Sequence, residues 1–144
     1  MTDHDEIRNL FATYAHLFDD GRYEEWANLF RYGAFTFLGR RLSGPQEILD
    51  FMLPISVGKS VLHVNFNIAL HVDEDVATAR SDVVTAVGDA SGVLKLDHVQ
   101  GARARYDDVL RRIDGRWWFI ERVITLRSEA VSVAAWSLLP IGAR

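Results

Sequence analysis

The stretch Asn9-Leu10-Phe11-Ala12-Thr13-Tyr14-Ala15-His16-Leu17-Phe18-Asp19-Asp20-Gly21 reads as the body and end of a helix. Ile7, Leu10, Phe11, Tyr14, Leu17 and Phe18 recur at spacings of three and four, so they share one face. Tyr14 lies in the middle of that apolar stripe, where its hydroxyl requires a buried partner. Asp19 and Asp20 fall in the last turn before Gly21, where the partial negative charge of a helix end repels carboxylates. Acids in that position are either solvated or kept for chemistry at a local electrostatic cost. Asp20 reads as solvated, and the helix alone leaves Asp19 open. At 100° per residue Tyr14 and Asp19 are about 140° apart in projection, so they converge only if Asp19 leaves the helical path.

On either side of this segment the chain punctuates itself. Asp3 and Glu6 resemble a capping box that starts the helix near His4. A second helix follows from about Tyr23 to Gly33, and Ala34-Phe35-Thr36-Phe37-Leu38 is a short strand. Ser43-Gly44-Pro45-Gln46-Glu47 opens a third helix with proline in its first turn, closed by Pro54. From about Lys59 to Arg127 the chain reads as strands broken at Asp73-Glu74, Gly88 to Gly92 and Asp114-Gly115. Helices followed by antiparallel strands predict one α+β domain over residues 1–144, with the helices on one face of a curved sheet.

The turns also predict register. A two-residue loop at Asp73-Glu74 sets Asn65 opposite Asp82 and His63 opposite Val84, making Asp82 the diagonal neighbour of His63. A loop at Asp114-Gly115 sets Asp107 opposite Arg122, and alternation puts Arg122 on one face with Trp118, Ile120, Ile124 and Leu126. An arginine on such a face is either paired in the core or aimed at a ligand.

Composition narrows the possibilities. A chain of 144 residues, 49% hydrophobic and 11% aromatic, has enough apolar material for a real core and for a lined pocket. The formal charge of −4 with scattered arginines argues against a nucleic-acid surface or a polybasic membrane anchor. There is no cysteine, and the acidic start Met1-Thr2-Asp3-His4-Asp5 is unlike a signal peptide, so a cytoplasmic protein is expected. The apolar tail, residues 131–144, falls short of the ~20 residues a membrane crossing requires and reads as a lid or an interface strip.

No pair among the five histidines has metal-ligand spacing, and nucleophile-elbow, dinucleotide and Walker motifs are absent, so neither a metal nor a cofactor is expected. His63 stands apart because Leu62, Val64, Phe66 and Ile68 surround it while His63, Asn65 and Asn67 form a polar row. It is either a structural histidine of the sheet or a base. The inventory from the residues is Tyr14, Asp19, His63, Asp82 and Arg122.

Tyr14-x-x-x-x-Asp19 ahead of Trp26, the Leu62-His63 strand, Asp75-Val76-Ala77-Thr78-Ala79 after a hairpin, and Arg105-Tyr106-Asp107-Asp108 with Asp114-Gly115-Arg116-Trp117 and Glu121-Arg122 form an ordered set. With the order of helices and strands, it resembles the SnoaL-like branch of the NTF2-like superfamily over nearly the whole chain. The resemblance implies a cone: a strongly curved, mixed or antiparallel sheet wrapped around three N-terminal helices, enclosing a deep, mostly apolar pocket, commonly in a homodimer or homotrimer. Scytalone dehydratase-like, bile-acid dehydratase-like and dehydrochlorinase-like members place an Asp–His dyad in the pocket, which falls here on Asp19 and His63, with Tyr14 at a position that is tyrosine in several relatives.

The implied function is a cofactor-free lyase acting by dehydratase-type elimination on a hydrophobic polycyclic or aromatic molecule. Asp19, His63 and Tyr14 are its candidate catalytic residues, and Arg122, Asp82, Asn65 and Tyr106 its candidate substrate-binding residues. Either Asp19 or Asp82 would orient His63. The ketosteroid isomerase-like carboxylate at the end of the first strand is replaced here by Phe37-Leu38-Gly39, which disfavours that activity. The second histidine and the asparagine of scytalone dehydratase-like sites are also missing. The alternative is a non-catalytic binding or scaffold protein, similar to the β-subunits of ring-hydroxylating dioxygenases.

Overall fold

The computed structural model describes residues 1–88 and 100–127. The expectations for the tail, residues 131–144, lie outside them. Helix α1 (Asp3–Asp19) is followed by α2 (Tyr23–Ala27), which continues as a 3₁₀ turn over Asn28–Phe30, and by α3 (Gly44–Ser56). Six strands, β1 (Ala34–Phe37), β2 (Arg40–Ser43), β3 (Ser60–Asp73), β4 (Val76–Gly88), β5 (Gln100–Ile113) and β6 (Arg116–Leu126), form one sheet in the order β2-β1-β6-β5-β4-β3. Every neighbouring pair is antiparallel except β1 with β6, so the sheet is mixed. It curves around the three helices without closing. No helix among the described residues is long and apolar enough to cross a membrane.

Helix α1 starts one residue earlier than its acids suggest. Thr2 is the N-cap, its hydroxyl accepting from the Asp5 N–H while the Asp5 carboxylate accepts from the Thr2 N–H. Asp3, freed from capping, accepts from Arg112 at 2.6 Å and from the Trp117 indole at 3.1 Å, fastening the helix to the β5–β6 hairpin. Ile7, Leu10, Phe11, Tyr14, Leu17 and Phe18 are all buried against the sheet. At the other end Gly21 takes φ +74°, and the bonds Arg22 N–H to Leu17 O and Gly21 N–H to Phe18 O close a Schellman motif.

Several local expectations are corrected. Pro54 lies inside α3, which runs on to Ser56 because a proline in the last turn removes little and Val57 N–H still reaches Leu53 O. The β1–β2 hairpin turns at Leu38-Gly39, both at positive φ, although leucine gives no turn signal. The β3–β4 loop is Glu74-Asp75, pairing Asp73 with Val76.

Two bulges then reset the register. On β3, Asn67 and Ile68 lie between the pairs Phe66–Asp82 and Ala69–Arg80, opposite Ser81 alone, with Asn67 in the left-handed region. His63 and Asn65 therefore face inward before the bulge, and Ile68, Leu70 and Val72 after it. On β6, Ile120 is the extra residue between the pairs Leu110–Phe119 and Val109–Glu121. Trp117 and Phe119 point inward below it and Arg122 and Ile124 above it, so Trp118 does not share a face with Arg122. Gly33 crosses this second bulge so closely that a Cβ would lie 2.4 Å from the Ile120 carbonyl oxygen.

Candidate active site

The shifted register pairs His63 with Thr85 and Asn65 with Val83. Thr85 pairs with Ala102, Val83 with Ala104, Ala104 with Leu126, and Tyr106 with Ile124. The inner face of the sheet thus descends in rungs: His63 and Thr85 at the open end, small and aliphatic side chains next, and Tyr106 at the floor. Phe18 and Tyr14 of α1, Phe35 and Phe37 of β1 and Met52 of α3 close the other sides of a cavity of about 100 Å³.

Asp19 is the last residue of α1 and remains helical. The expectation that it must leave the helix to be useful is wrong, because β3 passes the helix end and brings His63 to it. His63 Nδ1 lies 2.6 Å from Asp19 Oδ1, and the His63 backbone N–H donates to Asp19 Oδ2 at 2.9 Å. The side chains are only 10% and 15% exposed. Two hydrogen bonds to the ionised carboxylate offset its unfavourable position at a helix C-terminus. They also fix the imidazole: with Nδ1–H donated to Asp19, Nε2 carries the lone pair, and no hydrogen bond among the described residues engages it. The Phe18 and Tyr14 rings meet the imidazole edge-on, with centroids at 5.0 and 6.1 Å.

Arg122 is neither free nor in the cavity wall. It is 1% exposed and bonded through Nε and Nη2 to both oxygens of Asp108 at 2.7 and 2.8 Å. The partner is Asp108 rather than Asp107, because the β6 bulge shifts the pairing by one residue. Its guanidinium stacks on Tyr106 and Tyr14, 4.0 and 4.3 Å from their ring centroids. Burial would depress the guanidinium pKa, but Asp108 outweighs it and holds Arg122 protonated. A carboxylate or phenolate ligand therefore has no access to Arg122.

Tyr14 and Tyr106 both line the cavity and are nearly fully buried. Burial pushes both phenols above the ordinary tyrosine value, Tyr106 well above it, with Arg122 only partly opposing. At neutral pH each remains a protonated donor. Asn65 does not line the cavity: its amide N–H groups donate to Ser81 Oγ and the Asp82 carbonyl, and its Oδ1 is buried without a partner among the described residues.

Asp82 is corrected most fully. It pairs with Phe66 on the outer face, where Asn67 and Arg105 bond its carboxylate and hold it below the usual range, so it cannot orient His63. Thr85, which does share the cavity with His63, went unnoticed because the expected register put Val84 there. The signal that could have found it is Asn67, a residue tolerant of the left-handed region in the middle of a strand. Among the described residues no group of three or more His, Asp or Glu gathers as a metal site.

Comparison with known proteins agrees with this architecture. No curated protein matches the sequence. A candidate scytalone dehydratase from Novosphingobium aromaticivorans superposes with TM-score 0.73 at 21% identity, over 86% of this chain and 83% of that one. LinA superposes with TM-score 0.73 at 20% identity, over 86% and 85%. An NTF2-like protein with a cystatin-like fold, also from Novosphingobium aromaticivorans, gives TM-score 0.68 at 25% identity, over 96% and 89%. The SnoaL-like domain family matches residues 1–123. With its NTF2-like fold, the chain belongs to the SnoaL-like family.

Proposed function

We propose that this protein is a cofactor-free lyase that eliminates water, or a comparable leaving group, from a hydrophobic carbonyl compound. The observation that carries the reading is the Asp19 carboxylate holding His63 through both Nδ1 and the backbone N–H, which commits Nε2 to the cavity. His63 Nε2 takes the proton α to the carbonyl, and the electron pair forms a carbon–carbon double bond as the β carbon–oxygen bond breaks. The departing oxygen receives the imidazolium proton and leaves as water, which resets the dyad. Asp19 stabilises the imidazolium, and Tyr14, with Tyr106 beside it, donates to the carbonyl oxygen as negative charge develops there. The candidate scytalone dehydratase among the structural neighbours is consistent with this chemistry.

A non-catalytic binding role is the second reading, favoured by how much of the interior the protein's own aromatic rings occupy. Assaying β-hydroxy carbonyl compounds, from single-ring to polycyclic, for water loss separates the two. Turnover by wild type and its loss in His63→Ala is expected, and equal activity in both sinks the mechanism. The exposed row Leu62, Val64, Phe66 and Val84 on the outer face supports a homodimer or homotrimer, which size-exclusion chromatography with light scattering reads directly.

A further inference from the structure

We infer that Thr85 recognises the leaving group: its hydroxyl donates to the departing oxygen beside His63, so the site prefers a β-hydroxyl to a group that leaves without a proton. This role rests on the elimination reading for the bond that breaks, but not for the recognition of a hydroxyl.

Backbone geometry puts Thr85 there. The His63 N–H donates to Asp19, so it points away from β4 and toward the free edge of β3. A residue in an antiparallel strand turns its N–H and C=O to the same side. His63 and Thr85 are therefore a non-hydrogen-bonded pair, the closer kind, with Cα atoms about 4.5 Å apart. On their shared face the Cβ atoms lie within about 4.5–5.5 Å of each other. Asp19 also engages Nδ1 from that free edge, and the two nitrogens of an imidazole point in nearly opposite directions. Nε2 is thus aimed back over β4, whose inward residue on this rung is Thr85.

The side chain suits the task. Branching at Cβ restricts χ1, so the strand backbone sets the direction of the Thr85 hydroxyl. No hydrogen bond among the described residues engages that hydroxyl. Besides His63, the other polar side chains on the described lining are Tyr14 and Tyr106, which serve the carbonyl. A β-hydroxy carbonyl compound carries a carbonyl oxygen, an α hydrogen and a hydroxyl in sequence, and the cavity meets them with phenol, imidazole and threonine. When the β carbon–oxygen bond breaks, its electron pair goes with the oxygen, and Thr85 donates to that oxygen as charge gathers on it. The imidazolium then supplies the proton, water departs, and Thr85 keeps its own proton. A neutral hydroxyl adds little for acetate, which leaves as a stable anion.

The probes are 4-hydroxy-4-phenylbutan-2-one, its acetate ester and the deoxy ketone 4-phenylbutan-2-one; the first two yield the same enone. In a His63→Ala background, which blocks turnover, calorimetric titration should show the hydroxy ketone binding more tightly than the deoxy ketone. Thr85→Val should cut that preference about three- to tenfold, the usual worth of one hydrogen bond. With His63 intact, the ratio of kcat for the alcohol to kcat for the ester should fall at least about tenfold in Thr85→Val and recover in Thr85→Ser. A purely structural role would slow both substrates alike, so an unmoved ratio overturns the inference. A binding preference indifferent to Thr85→Val overturns it too, as does the failure of either ketone to bind. The two ideas fail separately. If the binding preference depends on Thr85 but neither substrate yields enone, the elimination reading fails and the Thr85 site stands. If both yield enone at a ratio that Thr85→Val does not move, elimination stands and the Thr85 role fails.

Discussion

Replacing Asp19 with asparagine tests the dyad by a single change of oxygen to nitrogen. One oxygen of Asp19 accepts from the His63 backbone N–H at 2.9 Å, and the other lies 2.6 Å from Nδ1. The backbone N–H can only donate, so the asparagine carbonyl must take that side and its NH₂ group must face Nδ1. Nδ1 then has to accept, the ring proton moves to Nε2, and the nitrogen facing the cavity can no longer take a proton. The shape of the site is unchanged, and Asp19 does not line the cavity, so KM should barely move. We expect kcat to fall about 10²–10⁴-fold, the usual worth of a positioned general base. Losing the charge from two hydrogen bonds should reduce stability by about 1.5–3 kcal/mol, and the fold should survive. The assay is the appearance of enone absorbance from a β-hydroxy ketone, with Asp20→Asn, an exposed neighbour, as the control. A kcat for Asp19→Asn within about threefold of wild type, less than about 1 kcal/mol of barrier, would refute the reasoning.

Removing one half of the buried Arg122–Asp108 pair, by Arg122→Met or Asp108→Ala, should cost about 3–5 kcal/mol in urea denaturation, whereas a double replacement by leucines should recover much of the loss. Burial holds the Tyr14 and Tyr106 protons in the folded state after an unfolded chain has released them. Their contribution to stability is therefore full below about pH 10 and lost as pH rises through the higher folded values; denaturation midpoints followed with tyrosinate absorbance should decline only above about pH 10. Gly33→Ala places a methyl 2.4 Å from the Ile120 carbonyl oxygen, and we expect at least about 1–3 kcal/mol of destabilisation, measured as a lower thermal midpoint.

The helices and long strands were legible in the sequence because each carries one period over many residues. The Asp114-Gly115 hairpin was legible because both residues accept positive φ, and its expected pair Ile113–Arg116 is present. The β1–β2 hairpin was not, since Leu38 adopts a left-handed conformation that its own chemistry resists. At the site, residue patterning singled out Tyr14, Asp19 and His63, but register reasoning turned toward Asp82 as the histidine's neighbour. That pairing assumed uninterrupted alternation, and a single extra residue at Asn67, together with a loop displaced by one, put Asp82 on the opposite face. The contact of Asp19 with His63 links positions 44 residues apart across a helix end, which no local period can report.

The two bulges give the sheet something like two reading frames. Below Asn67 on β3 and below Ile120 on β6 the inward positions spell ordinary core; above them, the same strands spell histidine, asparagine and arginine toward the interior. Each bulge acts as a frameshift, so the stabilising end and the chemical end of one strand can change independently. Deleting Asn67 would leave Phe66 opposite Asp82 and Ile68 opposite Ser81, so β3 would alternate without a break and still turn His63 inward, losing only the bend and extra twist that the bulge imparts.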